Sequence, residues 1–289
     1  MTGTPGALGI LAGGGTLPAQ VADAARAAGR EVFIVGLQGF ADPAVIGSYP
    51  HAILRIGAAG QILGALRARG CRDIVMIGPV RRPSMLALRP DATGVRLLAR
   101  IGQAAFGGDD GLLAAIVRVL HEERFRVVGA HEIMRQALGP AGLLTCAAPD
   151  PLALSDIARG VAVVRALGAV DVGQGCVVQQ GIVLAVEAAE GTDAMLARAG
   201  ELRRPGAGGV LVKLVKPGQD RRADLPTIGP ATLRAAVEAG LRGIAYEGDG
   251  TILADRTATV ALADGAGLFL IGLDPDTEGL SSPEPGGFA

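Results

Sequence analysis

Apolar residues in the first half of the chain gather in short runs with no polar alternation: Leu8–Ala12, Val32–Leu37, Ile53–Ile56, Ile74–Ile77 and Arg126–Val128. Strands apolar on both faces belong in a parallel sheet covered by helices on either side. The stretches between them carry helical spacing: Leu17–Ala28, stopped by Gly29, then Gly60–Arg69, Gly94–Ala105 and Gly111–Glu122. Alternating strand and helix predicts an α/β fold with a parallel-sheet domain over residues 1–138.

Gly139, Pro140, Gly142, Pro149 and Pro151 then make 139–151 the expected linker. A second α/β pattern fills 152–275. Leu152–Leu167, Ala194–Leu202 and Pro230–Ala239 read as helices. Cys176–Gln179, Ile182–Glu187, Val210–Val215, Gly243–Glu247 and Gly267–Ile271 read as strands, the first two turned at Gly181. The tail 276–289, rich in Gly, Pro, Ser and acid, is expected to be disordered.

Composition narrows the class of partner. Hydrophobic residues are 49% of the chain and charged residues 19%, yet no run reaches the ~20 apolar residues of a membrane-spanning helix. No basic segment leads into an apolar one at the N-terminus, so the chain is expected to stay in the cytoplasm. A net charge of −1 and 3% aromatics without Trp argue against nucleic acid as partner. Cys71, Cys146 and Cys176 are scattered and read as small buried apolar groups.

Five segments could carry chemistry. Ala12-Gly-Gly-Gly-Thr-Leu-Pro18 lies between a strand and a helix. Glycines there let the backbone approach a ligand, and Gly13, Gly14 and Gly15 are candidates to hold a phosphate. The alternative is a tight turn without ligand. Pro18 breaks the dinucleotide spacing, and the second strand ends Val35-Gly36-Leu37 with no acid for a ribose, which disfavours a nicotinamide cofactor. Arg81 and Arg82 follow the strand Ile74–Ile77 and could pair with phosphate, or form a solvated loop. Asp109 and Asp110 open a helix and read as caps; His131 and Glu132 follow a strand and could reach a site.

The densest group is Asp171-Val-Gly-Gln174-Gly175 with Glu187, Glu190, Thr192 and Asp193. Crowded carboxylates are relieved by a cation, and oxygen-only ligands suit Mg²⁺ or Mn²⁺. The plainer reading makes Thr192 or Asp193 a helix cap. Finally, a strand delivers Lys213 and Lys216 to a loop carrying Asp220, Arg221, Arg222, Asp224 and Thr227. There Asp224 is a metal ligand, a base toward water, or simply the partner of Arg222.

Taken in order, Ala12–Pro18, Gly129–Glu132, Asp171–Val178, Leu184–Met195 and Asp-Leu-Pro-Thr-Ile-Gly229 resemble the UDP-2,3-diacylglucosamine pyrophosphatases of the LpxI type, of the lipid A pathway. The resemblance runs from about Leu8 to Pro275. It implies a Rossmann-like N-terminal domain, a C-terminal α/β catalytic domain and a ligand between them. It further implies a Mg²⁺-dependent homodimer working at the inner face of the inner membrane on UDP-2,3-diacylglucosamine. The products would be UMP and 2,3-diacylglucosamine 1-phosphate, lipid X. The family's essential aspartate falls on Asp224. Pro79 stands where relatives are expected to carry Asn.

On this reading Asp224, Lys213 and Lys216 are catalytic. Gly13, Gly14, Gly15, Arg81, Gln174, Thr192 and Thr227 contact substrate, and Asp224, Glu187 and Asp193 hold the metal. The main rival is a non-catalytic UDP-sugar or lipid-binding protein of the same fold.

Overall fold

The computed structural model describes residues 6–102 and 108–274. They fall into two compact units. One takes the chain up to Arg135 together with Asp220–Asp224; the other takes Gln136–Gln219 and the chain from Leu225.

The first unit runs β1 (Leu8–Ala12), α1 (Leu17–Ala27), β2 (Val32–Leu37), α2 (Pro43–Ile46), β3 (His51–Leu54), α3 (Ala59–Ala68), β4 (Asp73–Ile77), α4 (Met85–Leu88), α5 (Ala92–Ile101), α6 (Asp109–Glu122), β5 (Arg126–Val127) and α7 (Ala130–Ile133). Its strands are all parallel, in the order β3-β2-β1-β4-β5. Leu8, Ile10, Ile34, Val35, Ile74 and Val75 are wholly inaccessible. Each such side chain contributes roughly 1.5–3 kcal/mol by leaving water. Helix α1 tolerates Pro18 because its first turn needs no N–H there, and it buries Leu17, Val21, Ala22 and Ala25.

The strand order reverses between β1 and β4, the place where parallel sheets open a crevice for ligands. Here two glycine-bearing loops meet. Gly13 N donates to Ile77 O and Gly14 N to Pro79 O, both at 2.9 Å. Gly78 has φ 93°, and a Cβ on it would lie 2.4 Å from Gly14 O.

At the opposite end of β4, Asp73 is buried between two arginines. Arg126 Nε and Nη2 donate to its two oxygens at 2.8 and 2.7 Å, and Arg30 donates as well. Arg126 holds the carboxyl below its ordinary range; burial opposes this, and Arg30 adds to it.

The second unit continues with β6 (Gly142–Leu143), α8 (Pro151–Ala169), β7 (Gly175–Gln179), β8 (Ile182–Val186), α9 (Thr192–Glu201), β9 (Val210–Lys213), β10 (Thr227–Ile228), α10 (Pro230–Glu238), β11 (Gly243–Glu247), β12 (Ile252–Leu253), α11 (Arg256–Ala266) and β13 (Phe269–Leu273). Its main sheet is mixed, in the order β6-β13-β11-β9-β7-β8, with β9, β11 and β13 parallel. Ala153, Ile157, Val161 and Val164 of α8 pack on Cys176, Val178 and Val212. The other face carries Met195 and Leu196 of α9 and Leu233 and Ala236 of α10 against Val177 and Leu211. Gln180 and Gly181, at φ 53° and 76°, turn the β7–β8 hairpin. Buried Asp156 accepts both their N–H groups, at 3.0 and 2.6 Å.

Three readings from the pattern are corrected here. The expected linker 139–151 belongs to the second unit: β6 pairs antiparallel with β13, and Tyr246 Oη donates to Pro140 O at 2.9 Å. Gly and Pro mark irregular backbone, but not whether it packs. The third strand is His51–Leu54, earlier than Ile53–Ile56, and the last is Phe269–Leu273, later than Gly267–Ile271. The latter shift follows from α11, which runs to Ala266 and is closed by Gly267, φ 67°, so that Gly267 belongs to the helix end and not to the strand. The proposed end of the Gly94–Ala105 helix and the tail 276–289 lie outside the described residues. Among the described residues no helix is long and apolar enough to cross a membrane.

Asp73→Asn is expected to cost about 3 kcal/mol near neutral pH, since it leaves Arg30 buried without its anion. A carboxyl held below its ordinary 3.8 stabilises above that pH and loses the contribution as pH falls through its folded value. Denaturant midpoints of wild type and variant should therefore converge in acid; a constant gap would refute the assignment.

Candidate functional site

In the second unit the chemistry gathers at one end of the main sheet. Lys213 closes β9, paired in register with Gly175 on β7 and Tyr246 on β11. Residues alternate faces along a strand, so Lys213 shares its face with Leu211 and faces the α9 side. Its side chain is 6% exposed. Lys213 Nζ donates to Thr192 Oγ1 at 2.6 Å, and Thr192 Oγ1 donates to Glu187 Oε1 at 2.6 Å. Lys213 Nζ and Glu187 Oε1 are 3.9 Å apart.

Glu187 is placed by the hairpin. It follows β8, and its N–H donates to Gly175 O at 2.8 Å. Its Oε2 is buried with no hydrogen-bond partner. Two glycines make room for it: a Cβ at Gly175 would lie 2.8 Å from Glu187 Oε2, and one at Gly173 would lie 2.0 Å from Glu187 O. The Asp-x-Gly-Gln-Gly pattern thus has a steric reason. Gln174 O accepts from Leu214 N at 3.0 Å, while its Oε1 is buried without a partner.

A second buried lysine lies just beyond. Lys216 Nζ donates to Asp171 Oδ1 at 2.7 Å, and Lys216 N donates to Gln219 Oε1 at 3.0 Å. Glu247, ending β11, is equally buried and accepts from Val215 N at 3.3 Å. Sequence reasoning assigned Glu247 to a strand and gave it no role. Its signal was the one Glu187 shows, an acid closing an apolar strand.

The remaining candidates are dispersed. Thr192 opens α9 but does not cap it; Gly191 is the N-cap residue, and no side chain caps this end. Asp193 is exposed and lines a groove of about 620 Å³ between α9 and α10, with Arg234 and Glu238. Thr227 Oγ1 donates to Leu225 O at 3.3 Å. Asp224 groups with the first unit, in a turn where Asp224 N donates to Asp220 O at 3.2 Å. In that turn Arg222 pairs with Asp220 and lowers its carboxyl pKa, so Arg222 is not reserved for Asp224.

Elsewhere in the first unit, the N–H groups of Gly13 and Gly14 are spent on the β4 loop, and Gly15 takes φ 74°. Arg81 is exposed, and Arg82 lies 3.6 Å from Asp109. Asp109 and Asp110 sit inside the first turn of α6, behind the N-cap Gly108, so neither is the cap. Glu132 Oε1 accepts from Gly129 N at 2.7 Å, and His131 Nδ1 is buried without a partner.

Among the described residues no group of three or more His, Cys, Asp or Glu side chains is arranged to hold a metal ion. The charge that lies close to Glu187 is the Lys213 ammonium.

Gly173→Ala is expected to cost at least about 2 kcal/mol, because the backbone it would strike cannot move aside. Gly64→Ala, in open space on α3, should instead gain about 0.5–1 kcal/mol. Unfolding midpoints of the two variants should move in opposite directions; a G173A protein as stable as wild type would contradict the packing described.

Comparison with known proteins bears on the whole chain. Residues 7–137 match the model of the LpxI N-terminal domain, and residues 140–271 that of the LpxI C-terminal domain. The chain is 45% identical over 274 residues to the UDP-2,3-diacylglucosamine pyrophosphatase LpxI of Caulobacter vibrioides, an alignment covering 93% of this chain and 98% of that protein.

Proposed function

This chain belongs to the LpxI family, and from that premise we propose that it hydrolyses the pyrophosphate bond of UDP-2,3-diacylglucosamine in lipid A biosynthesis. The products are UMP and 2,3-diacylglucosamine 1-phosphate. The observation that carries the reading furthest is the buried lysine pair at the strand ends of the second unit, joined to the near full-length match. Two buried ammoniums suit a ligand whose reacting part is a run of phosphoryl oxygens.

In the reaction, a water oxygen bonds to one phosphorus and the bridging P–O bond breaks. The released oxygen leaves with the second phosphate, and the water's remaining proton passes to solvent or to a carboxylate. Lys213 and Lys216 stabilise the negative charge developing on the phosphoryl oxygens. Asp224 is the acid the family resemblance makes essential, and Thr227 lies in the same Asp-Leu-Pro-Thr-Ile-Gly segment.

Mg²⁺ belongs to the proposal on the same resemblance. When bound it would neutralise pyrophosphate oxygens and acidify an attacking water. Magnesium is commonly held by one or two carboxylates together with substrate phosphates, and no protein-only site is proposed. Homodimerisation and contact with the membrane surface are carried by the same resemblance.

Release of UMP from UDP-2,3-diacylglucosamine by the purified protein, with Mg²⁺ and then with EDTA, tests the reading. Wild type should turn over with metal, and Asp224→Ala should lose about 10²–10⁴-fold in kcat. Folded protein that binds the nucleotide sugar yet releases no UMP with any divalent ion would support the binding-protein alternative.

A further inference from the structure

We propose that Glu187 is a positioning residue: acting through Thr192, it fixes the Lys213 ammonium for the phosphoryl group and is not a metal ligand. The inference rests on the pyrophosphatase reading above.

The direction of the hydrogen bonds follows from chemistry. An ammonium has protons and no lone pair, so Thr192 Oγ1 must accept from Lys213 at 2.6 Å. The hydroxyl's own proton is then given to Glu187 Oε1, also at 2.6 Å. Glu187 and Lys213 are 3.9 Å apart, too far for a direct hydrogen bond, so the threonine transmits the contact. Both charged side chains are more than nine-tenths buried, where charge-assisted hydrogen bonds are strong and hold geometry.

What the arrangement leaves open points to an anion. Among the described residues Lys213 makes one hydrogen bond, to Thr192, and two of its protons have no acceptor. The ten-residue helix α9 begins at Thr192 with no side-chain cap: its N-cap residue is Gly191, and the Thr192 hydroxyl is turned to Glu187. Its free N–H groups and positive dipole end favour the same charge. Glu187 itself is seated by backbone: its N–H is bonded to Gly175 O, and Gly175 leaves no Cβ in its way. The carboxylate is thus held rigidly while using one oxygen, and its charge is balanced by the lysine it positions.

The test measures UMP release by wild type, Thr192→Val, Thr192→Ser and Glu187→Gln, each titrated with Mg²⁺ and checked for folding by circular dichroism. T192V is nearly isosteric, so it remains informative if E187Q is unstable. The expected result is a loss of about 10²-fold in kcat for T192V, with KM for the lipid nucleotide changed only a few-fold. T192S should recover most of that loss. E187Q should lower kcat with the Mg²⁺ concentration for half-maximal rate unchanged. A T192V enzyme close to wild type in kcat would overturn this inference and leave the pyrophosphatase reading intact. A tenfold or larger rise in the Mg²⁺ requirement of E187Q would make Glu187 a metal ligand and overturn it as well. Wild type that releases no UMP would sink the functional reading and this inference together.

Discussion

A lysine can be kept out of water only where its charge is balanced, and the strand-end cluster of the second unit answers that constraint at Lys213. The residue closes a strand flanked on both sides, and its side chain is buried. Thr192 accepts one proton and Glu187 supplies the opposite charge at 3.9 Å, and each brings its element with it. Thr192 ties in the start of α9, Glu187 ties in the end of the β7–β8 hairpin, and Gly173 and Gly175 follow from the space Glu187 takes. Isolated burial of such a charge would cost several kcal/mol, so the pattern is tightly specified.

The first unit places glycine under a different constraint. Its Gly-rich loop lies at the sheet's switch point, the position at which a nucleotide-binding turn would be expected. The glycines there are required by backbone meeting backbone: Gly13 and Gly14 against Ile77, Gly78 and Pro79. The same residues would look identical in sequence whether they cradled a phosphate or another loop.

That contrast describes what was legible. The α/β class, the parallel direction of the first sheet's strands and most of those strands could be read from apolar runs such as Val32–Leu37, because burial on both faces leaves a continuous signature. Lys213, Lys216, Glu187, Gln174 and Thr192 could be singled out from their places at strand and helix ends, and four of them sit at one end of one sheet. What sequence could not show is who touches whom. Asp193 is one residue from Thr192 and faces a separate groove, because a helix turns about 100° per residue. Glu190, read with the acid cluster, is taken by Arg198 at 2.6 Å. Asp220 takes Arg222, the partner one reading had given to Asp224. Helix α11 goes without an assignment, and segment 139–151 reads as a linker from its Gly and Pro although it packs.

The short excursion Asp220–Asp224 has a bearing on how the molecule can be divided. These residues are encoded deep within the second unit yet fold with the first, where Ala223 packs against the cluster of Phe33, Val35 and Ile74. A gene fragment ending at Arg135 therefore lacks part of its own fold, and one starting at Gln136 carries a foreign loop. Detaching the units cleanly takes three scissions of the backbone, after Arg135, before Asp220 and after Asp224. Modularity in the sequence, with one boundary near residue 138, is thus not autonomy in the polypeptide, and Asp224 inherits the local unfolding equilibrium of the half to which it is not contiguous.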